Sequence, residues 1–471
     1  MLRDTGSVHF IAIGGIGMSA LAKILIQMGY QVSGSDIAEN NITDTLRSLG
    51  ARVEIGHRAE NIGNPDLVVV SSAIRKENPE LGAARDRGIP VWHRADLLAY
   101  LMGKQESIAV TGAHGKTTTS SMLTLVLLKN KFDPTAVIGG ELEQLGGNGA
   151  LGHGRYLVAE VDESDGTFLR LRPTMAITTN IEADHLDHYH TLQNIIDAFA
   201  QFLGHVPPSG LAVLGIDDRN VRDIIPRVQC PKLTYGLDYP ADLTASDINL
   251  TPFGSRFTVI YHGQPVGSIE LKVPGRHNIQ NALAVIGISL HLGLSLPEIA
   301  CALIEFRGAK RRFQLLGEVQ GIRVVDDYAH HPTEIKAALA AAQTTNAKRV
   351  VAVFQPHLYS RTSFLQDAFG QSFGDADLVV ITDVYGSREL PQEGVTGQLI
   401  VDALHRHDSR SVVYVQDKRD IPRRLVEIAR PGDLIMTIGA GDIWKYGLET
   451  LELLQNGEAQ KSADCRHEIR S

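Results

Sequence analysis

The chain has 471 residues, 43% of them apolar and 21% charged, the composition of a folded globular protein too long for one ordinary domain. A net charge of −9, from 45 basic and 54 acidic residues, and the lack of a long basic run exclude an extended nucleic-acid-binding face. No run of about 18 uninterrupted apolar residues occurs, so no membrane insertion is expected. Three scattered cysteines, Cys230, Cys301 and Cys465, exclude a disulfide framework or a structural zinc site and predict a cytoplasmic protein. Met1-Leu-Arg-Asp4 is not a basic leader, and Gly14, Gly15, Gly17 and Lys23 interrupt the apolar run behind it.

Short β-branched runs alternate with helical patterns, which predicts α/β architecture with parallel sheets flanked by helices. A first block has predicted strands at Val8–Ile13, Gln31–Ser35 and Asp66–Ser71 and a helix after Gly17, and closes at the polar break Met102-Gly-Lys-Gln105. A second opens with a strand at Ser107–Val110 and a helix after Gly115, then strands at Tyr156–Val161, Met175–Thr179 and Leu211–Leu214. Arg256–Tyr261 and Val266–Leu271, joined by His262-Gly-Gln-Pro265, predict an antiparallel hairpin added to that sheet. Helices near Asn278–Leu292 and Leu296–Glu305 lead to Arg307-Gly-Ala-Lys-Arg-Arg312. A third block has strands at Arg349–Phe354, Leu378–Asp383, Ser411–Val415 and Asp433–Ile438, with helices after Pro332 and Arg361. The polar tail after Leu453 is expected to fray. The blocks predict domains at residues 1–104, 105–312 and 313–471.

The apolar strand Ser107–Val110 runs directly into Thr111-Gly-Ala-His-Gly-Lys-Thr-Thr118 and then a helix. Glycines at 112 and 115 let backbone N–H groups turn toward phosphate oxygens, and the helix dipole adds to the field. In that pattern Lys116 reaches the β- and γ-phosphates and the Thr117 hydroxyl ligates Mg²⁺. The strict form of the motif fails, because Val110 stands where its first glycine belongs. By itself the loop predicts a bound nucleoside triphosphate and leaves the reaction open.

Two later strands end in polar clusters, Glu160-Val-Asp-Glu-Ser-Asp165 and Thr179-Asn-Ile-Glu-Ala-Asp-His185. Ligands gather beyond the carboxyl ends of parallel strands, so both can face the phosphate loop. Mg²⁺ takes oxygen ligands and is held by one or two carboxylates plus nucleotide phosphates; solvated loop charge is the alternative reading. Near the start, a strand, Gly14, Gly15, Gly17 and a helix resemble a dinucleotide fingerprint with Ala12 in place of its first glycine. Asp36 ends the next strand, where ribose-binding acids sit in such folds. Alone, this turn supports a nicotinamide-dependent dehydrogenase as well as a pyrophosphate-binding helix N-terminus.

Taken together, these segments resemble the Mur ligases of bacterial peptidoglycan synthesis, from about His9 to Ile443. The resemblance rests on Ile13-Gly-Gly-Ile-Gly-Met18, the loop at 111–118, the two clusters above, Gly275-Arg-His-Asn278 with Asn281, and Asp326-Asp-Tyr-Ala-His-His-Pro332. It implies a Rossmann-like N-terminal domain, a central P-loop ATPase-like domain with a mixed sheet, and a Rossmann-like C-terminal domain. Gly14, Gly15, Ile16, Gly17, Met18 and Ser19 would then hold the diphosphate of a UDP-sugar, with Asp36, Ser71, Ser72 and Ala73 at its nucleoside end. Gly112, Ala113, His114, Gly115, Lys116, Thr117 and Thr118 would grip ATP, and Thr117, Glu160 and His185 would hold Mg²⁺. His277, Asn278 and Asn281 match the positions that hold adenine, with Tyr328 stacking on it and Arg312 at the γ-phosphate. His330, His357 and Arg361 resemble the residues that place the amino acid. Two departures stand out: Ala12, and Leu358 where related ligases carry arginine.

The implied reaction is ATP-dependent ligation of L-alanine to the lactyl carboxylate of UDP-N-acetylmuramate through an acyl phosphate, by a monomer or homodimer. A family member adding another amino acid or a tripeptide is the alternative. Lys116, Glu160, His185 and Arg312 are the expected catalytic groups. A base for the alanine ammonium is required, and His330 or His331 can serve, while an adjacent histidine pair can also be structural around Pro332.

Overall fold

A computed structural model describes residues 6–387, 389–407 and 411–468. The N-terminal sheet is fully parallel, with β1 (Ser7–Ile11), β2 (Gln31–Asp36), β3 (Arg52–Ile55), β4 (Leu67–Val70) and β5 (Val91–His93) in the order β3-β2-β1-β4-β5. The central sheet comprises β6 (Glu106–Thr111), β7 (Thr135–Leu142), β8 (Gly147–Ala150), β9 (Tyr156–Glu160), β10 (Met175–Thr178), β11 (Leu211–Gly215), β12 (Lys232–Tyr235), β13 (Leu243–Thr251), β14 (Gly254–Tyr261) and β15 (Gln264–Leu271). Their order is β15-β14-β13-β12-β11-β10-β6-β9-β7-β8. Its middle is parallel, and β8 runs antiparallel to β7, so the sheet is mixed as expected.

The third sheet comprises β16 (Gln314–Val319), β17 (Ile322–Asp327), β18 (Arg349–Phe354), β19 (Leu378–Ile381), β20 (Ser411–Tyr414) and β21 (Asp433–Ile438) in the order β16-β17-β21-β18-β19-β20. Both faces of this sheet are buried, which is why its strands read as continuous apolar runs. Val350, Ala352 and Phe354 enter one core with Val325, Leu434, Met436 and Ile438, while Val351 and Val353 enter the other with Val324 and Ile435. The period of two along each strand sorts the residues between the faces.

Periodicity does not mark β3, β5, β7, β8, β12, β13, β16 or β17. β8 is Gly-Asn-Gly-Ala with no β-branched residue, and β13 is largely polar because much of it is exposed. β16 and β17 are joined by Gln320-Gly321, at φ 53° and 73°, a two-residue turn whose left-handed geometry matches the strand twist. The hairpin foreseen at 256–271 forms as β14 and β15 around His262 and Gly263, at φ 47° and 76°. The last helix is Ile443–Glu468, so the tail predicted to fray is helical to Glu468.

The chain divides into two compact units. One runs to Ile248 and takes in Arg256–Glu270 and Asn278–Ala309; the other is Asn249–Ser255, Leu271–His277 and the chain from Lys310. The first therefore contains both the N-terminal sheet and the phosphate loop. Among the described residues no helix is long and apolar enough to cross a membrane.

Candidate active site

β6 is buried along Ile108–Val110 and delivers the chain to Thr111 at the carboxyl edge of its sheet. Val110, where the stricter motif has glycine, is simply an inward-facing strand residue. The loop then turns on Gly112 at φ 132° and Gly115 at φ 82°, and Gly115 caps the helix Lys116–Lys129. A Cβ at Gly112 would collide with Thr179 Oγ1, and one at Gly115 would lie 2.6 Å from Asn281 Oδ1. Neighbouring β10 runs directly into Thr179 and Asn180, which brace the loop. Asn180 accepts from Ala113 N (3.0 Å) and His114 N (2.8 Å), and His114 O accepts from Thr179 Oγ1 (2.6 Å) and Asn180 Nδ2 (3.1 Å). This bracing role escaped the sequence reading, although an amide side chain directly after the strand beside the loop was its available signal.

The acidic run after β9 is divided between two tasks. Glu160 Oε1 accepts the Thr117 hydroxyl at 2.9 Å, and Oε2 accepts Gly139 N at 2.6 Å. Glu163 Oε1 accepts Lys116 Nζ at 3.0 Å, and the same ammonium bonds Gly112 O at 2.5 Å and Ala113 O at 3.1 Å. Asp162 instead takes Arg94 at 2.6 Å, and Asp165 accepts the Ser72 hydroxyl, so alternate members reach the N-terminal sheet's loops. Burial pulls the Lys116 ammonium down, but Glu163, Asp162 and Glu160 outweigh it and hold the ammonium above its ordinary value. Burial pushes Glu163 up to about 7 against the pull of Lys116. Burial likewise raises Asp162, yet Arg94 and Lys116 overcome it and hold this carboxyl below the usual range.

The two oxygens of Thr117 and Glu160 are the hard donors that Mg²⁺ requires, and they already touch at the helix N-terminus, so the residues present fit that ion. His185 opens the short helix Leu186–Tyr189 at φ 54°, its ring 3.6 Å from Asp184. Asn281 sits beside the loop, accepting from Thr119 Oγ1 at 3.2 Å and donating to Asn278 Oδ1 at 3.3 Å. Thr118 is buried in the helix's first turn.

At the glycine-rich turn, Asp36 accepts Gly14 N at 2.8 Å through one oxygen and its own neighbour Ile37 N at 2.8 Å through the other. Gly15 and Ile16 are exposed, and Gly17 leaves only 3.1 Å between a built Cβ and Arg94 Nη1. Met18 and Ser19 are buried, and Asn148 of β8 donates to Ile16 O (2.6 Å) and Ser19 Oγ (2.9 Å). Ser71, Ser72 and Ala73 form an accessible turn, with Ser72 2.9 Å from His93 Nε2. Ala12 carries φ 65°, a left-handed conformation that strains any residue with a Cβ. Ala12→Gly is therefore expected to raise unfolding free energy by roughly 0.5–1 kcal/mol, since relief of strain exceeds the added chain entropy. Urea denaturation checks this, and a lowered midpoint would refute it.

In the second unit the motif from Asp326 to Pro332 separates into braces and presented groups. Asp326 holds Arg311 (2.9 Å) and Thr437 (2.7 Å), and Arg311 also bonds the carbonyls of Gly439 and Gly441. Asp327 accepts Phe313 N and Ala329 N, both at 2.8 Å, and burial pushes it up to about 6 against Arg312. His331 caps the helix Pro332–Gln343. What remains is Tyr328, under the Arg312 guanidinium at 5.3 Å, and His330, edge-on to Tyr328 at 5.5 Å. His330 Nδ1 lies 3.0 Å from Tyr328 O and 3.4 Å from Glu334 Oε2, both acceptors. A neutral ring that donates from Nδ1 to these acceptors presents its lone pair at Nε2. Arg361 is buried and donates to His357 Nδ1 at 3.2 Å.

Burial, with Arg312 adding to it, lowers His277 to about 4. A free histidine titrates near 6.5, so between these values the unfolded chain gains a proton that the folded chain refuses. Stability is unaffected by this group above about pH 6.5 and falls by about 3 kcal/mol as pH drops toward 4. His277→Gln should flatten that part of a stability–pH profile measured by urea unfolding; an unchanged slope would refute the assignment.

A phosphate-gripping loop at the carboxyl edge of a parallel sheet, flanked by carboxylates and a Rossmann-like sheet on each side in sequence, is the architecture of a nucleotide-dependent α/β enzyme. Family profiles agree along the chain: the Mur ligase family catalytic domain matches residues 7–106, the Mur ligase middle domain 110–289, and the Mur ligase glutamate ligase domain 311–441. The UDP-N-acetylmuramate–L-alanine ligase of Pelotomaculum thermopropionicum is 53% identical over 96% of this chain and 98% of its own length. That of Desulforamulus reducens is 49% identical over 95% and 98%. The crystal structure of the UDP-N-acetylmuramate-alanine ligase of Thermotoga maritima superposes with a TM-score of 0.83 at 32% identity, covering 96% of this chain and all of that one. The chain belongs to the Mur ligase family, an ATP-dependent ligase family, which sets aside the dehydrogenase reading of the glycine-rich turn.

Proposed function

We propose that this chain joins L-alanine to the lactyl carboxylate of UDP-N-acetylmuramate, driven by ATP, in cytoplasmic peptidoglycan precursor synthesis. Near-full-length identity of 53% and 49% to ligases of that name supports the substrate pair. The observation that carries the chemistry is the paired seating of Lys116 on Glu163 and of Thr117 on Glu160 at one helix N-terminus.

In this reading, residues 1–104 hold the UDP-sugar, 105–312 hold ATP and 313–471 hold the amino acid. The UDP-sugar lies on Gly14, Gly15, Ile16, Gly17, Met18 and Ser19, with Asp36, Ser71, Ser72 and Ala73 toward its nucleoside. Backbone N–H groups of Gly112–Thr118 and the Lys116 ammonium take the ATP phosphates, and His277, Asn278, Asn281 and Tyr328 take the adenine. Thr117, Glu160 and His185 would hold Mg²⁺, which when bound neutralises phosphate charge. A lactyl carboxylate oxygen attacks the γ-phosphorus, the bond to the bridging oxygen breaks, and ADP leaves an acyl phosphate. Lys116 and Arg312 offset the charge that develops on the transferred group, and orientation supplies most of the rest. His330 Nε2 takes a proton from the alanine ammonium, and the freed amine attacks the acyl carbon and expels phosphate. His357 and Arg361 place the amino acid, Arg361 being the charge complement of its carboxylate.

ADP release measured with UDP-N-acetylmuramate and each amino acid in turn tests this. The highest rate is expected with L-alanine. Equal rates with D-glutamate, or turnover only with a tripeptide, would assign the chain to another branch of the family.

A further inference from the structure

The strands β18 and β19 are parallel neighbours, so the loops leaving their carboxyl ends lie side by side. The first loop carries His357 and the second carries Asp383-Val-Tyr385. They are joined by a β-bridge between His357 and Tyr385, with Tyr385 N donating to Pro356 O at 2.8 Å and Leu358 N to Tyr385 O at 3.0 Å. The Tyr385 ring lies against the His357 ring at 6.0 Å with 20° between their planes. Arg361 holds His357 Nδ1, and the His330 ring meets His357 edge-on at 5.8 Å and 74°. The imidazole is thus fixed on three sides, and Tyr385 supplies the only one of these contacts that comes from the 383–387 loop.

Tyr385 is itself backed. Lys418 Nζ stands 5.6 Å from its ring and is anchored by both oxygens of Asp442 at 2.7 Å, with Gln355 Nε2 on the same carboxylate at 3.1 Å. Beyond the ring lies a cavity of about 1190 Å³ lined by Gln355, Asp383, Tyr385, Tyr414 and Lys418. Because the ring lies between His357 and this cavity wall, its loss would open His357 to rotation and water. At Leu358 the chain adopts φ 69°, and its amide is held in that conformation by the Tyr385 carbonyl.

We propose that Tyr385 is a positioning residue of the amino-acid site: its ring sets the plane in which His357 presents itself to L-alanine, and Lys418 steadies the ring from behind. This rests on the proposed function, in which His357 places the amino acid. The ring, and not its hydroxyl, performs the role.

The test is steady-state kinetics of the full-length chain with each substrate varied in turn, for Tyr385→Leu, Tyr385→Phe and Lys418→Met. Tyr385→Leu should raise KM for L-alanine about tenfold or more, leaving KM for ATP and UDP-N-acetylmuramate within about twofold. Tyr385→Phe should restore KM for L-alanine to within about twofold of the parent, and Lys418→Met should give a smaller rise confined to L-alanine. An unchanged KM for L-alanine in Tyr385→Leu, an equal rise for all three substrates, or a phenylalanine variant as impaired as leucine would overturn the proposal. Should Tyr385→Leu not fold, the exposed-side variant Lys418→Met reads the same split. A parent chain that uses UDP-N-acetylmuramate and ATP but not L-alanine would instead remove the functional reading on which the proposal stands.

Discussion

Replacing Lys116 with alanine is expected to reduce kcat/KM by on the order of 10³-fold, about 4 kcal/mol of transition-state stabilisation. The ammonium is mostly buried, tied to two loop carbonyls and Glu163, and kept charged by three surrounding carboxylates. Its position is therefore set before any phosphate arrives. The same substitution leaves Glu163 buried with its cation gone, which destabilises the fold by up to about 3–5 kcal/mol if the carboxylate stays charged. Because burial already pushes Glu163 up to about 7, it will take a proton and moderate that loss. Adding Glu163→Gln to Lys116→Ala should recover the melting temperature without recovering activity. Thermal unfolding and product formation measured on both variants separate the two effects. Intact product formation in Lys116→Ala would end the ligase mechanism as written.

Glu160→Gln is expected to lower the rate about 10²-fold and to raise the Mg²⁺ concentration needed for half-maximal rate. The glutamine keeps the size of the side chain but exchanges one acceptor for a donor. With its oxygen on Gly139 N–H, the amide turns its N–H toward the Thr117 hydroxyl, which must accept where it now donates, and the negative charge that draws Mg²⁺ is gone. A Mg²⁺ titration of initial rates checks this. An unchanged half-saturation would remove Glu160 from the metal site and leave it as a brace between the helix Lys116–Lys129 and β7.

Much of this architecture was legible before any coordinates. The α/β class, the phosphate loop on a strand and helix, and the strands around it follow from local rules. A buried parallel strand must be apolar, and a phosphate turn must place glycine where φ is positive, as at Gly112 and Gly115. The strands that escaped detection are those whose partners supply the stability. β8 forms because it pairs with β7 and receives the helix Ile16–Gln27, not because Gly-Asn-Gly-Ala favours a strand.

The sequence by itself determined which chemical groups cluster after which strand, and resemblance attached them to a reaction. Only the tertiary structure decided how each cluster divides. Glu160, Asp162, Glu163 and Asp165 are alike in sequence, yet two face the phosphate loop and two face Arg94 and Ser72. Of the adjacent histidines, His331 caps a helix and His330 stands beside Tyr328. Of the adjacent arginines, Arg311 ties down Gly439 and Gly441 while Arg312 lies over Tyr328. The physical reason is the same in each case. Neighbours in sequence share a composition and a strand end, but the direction of a side chain and the partner it meets depend on segments far along the chain.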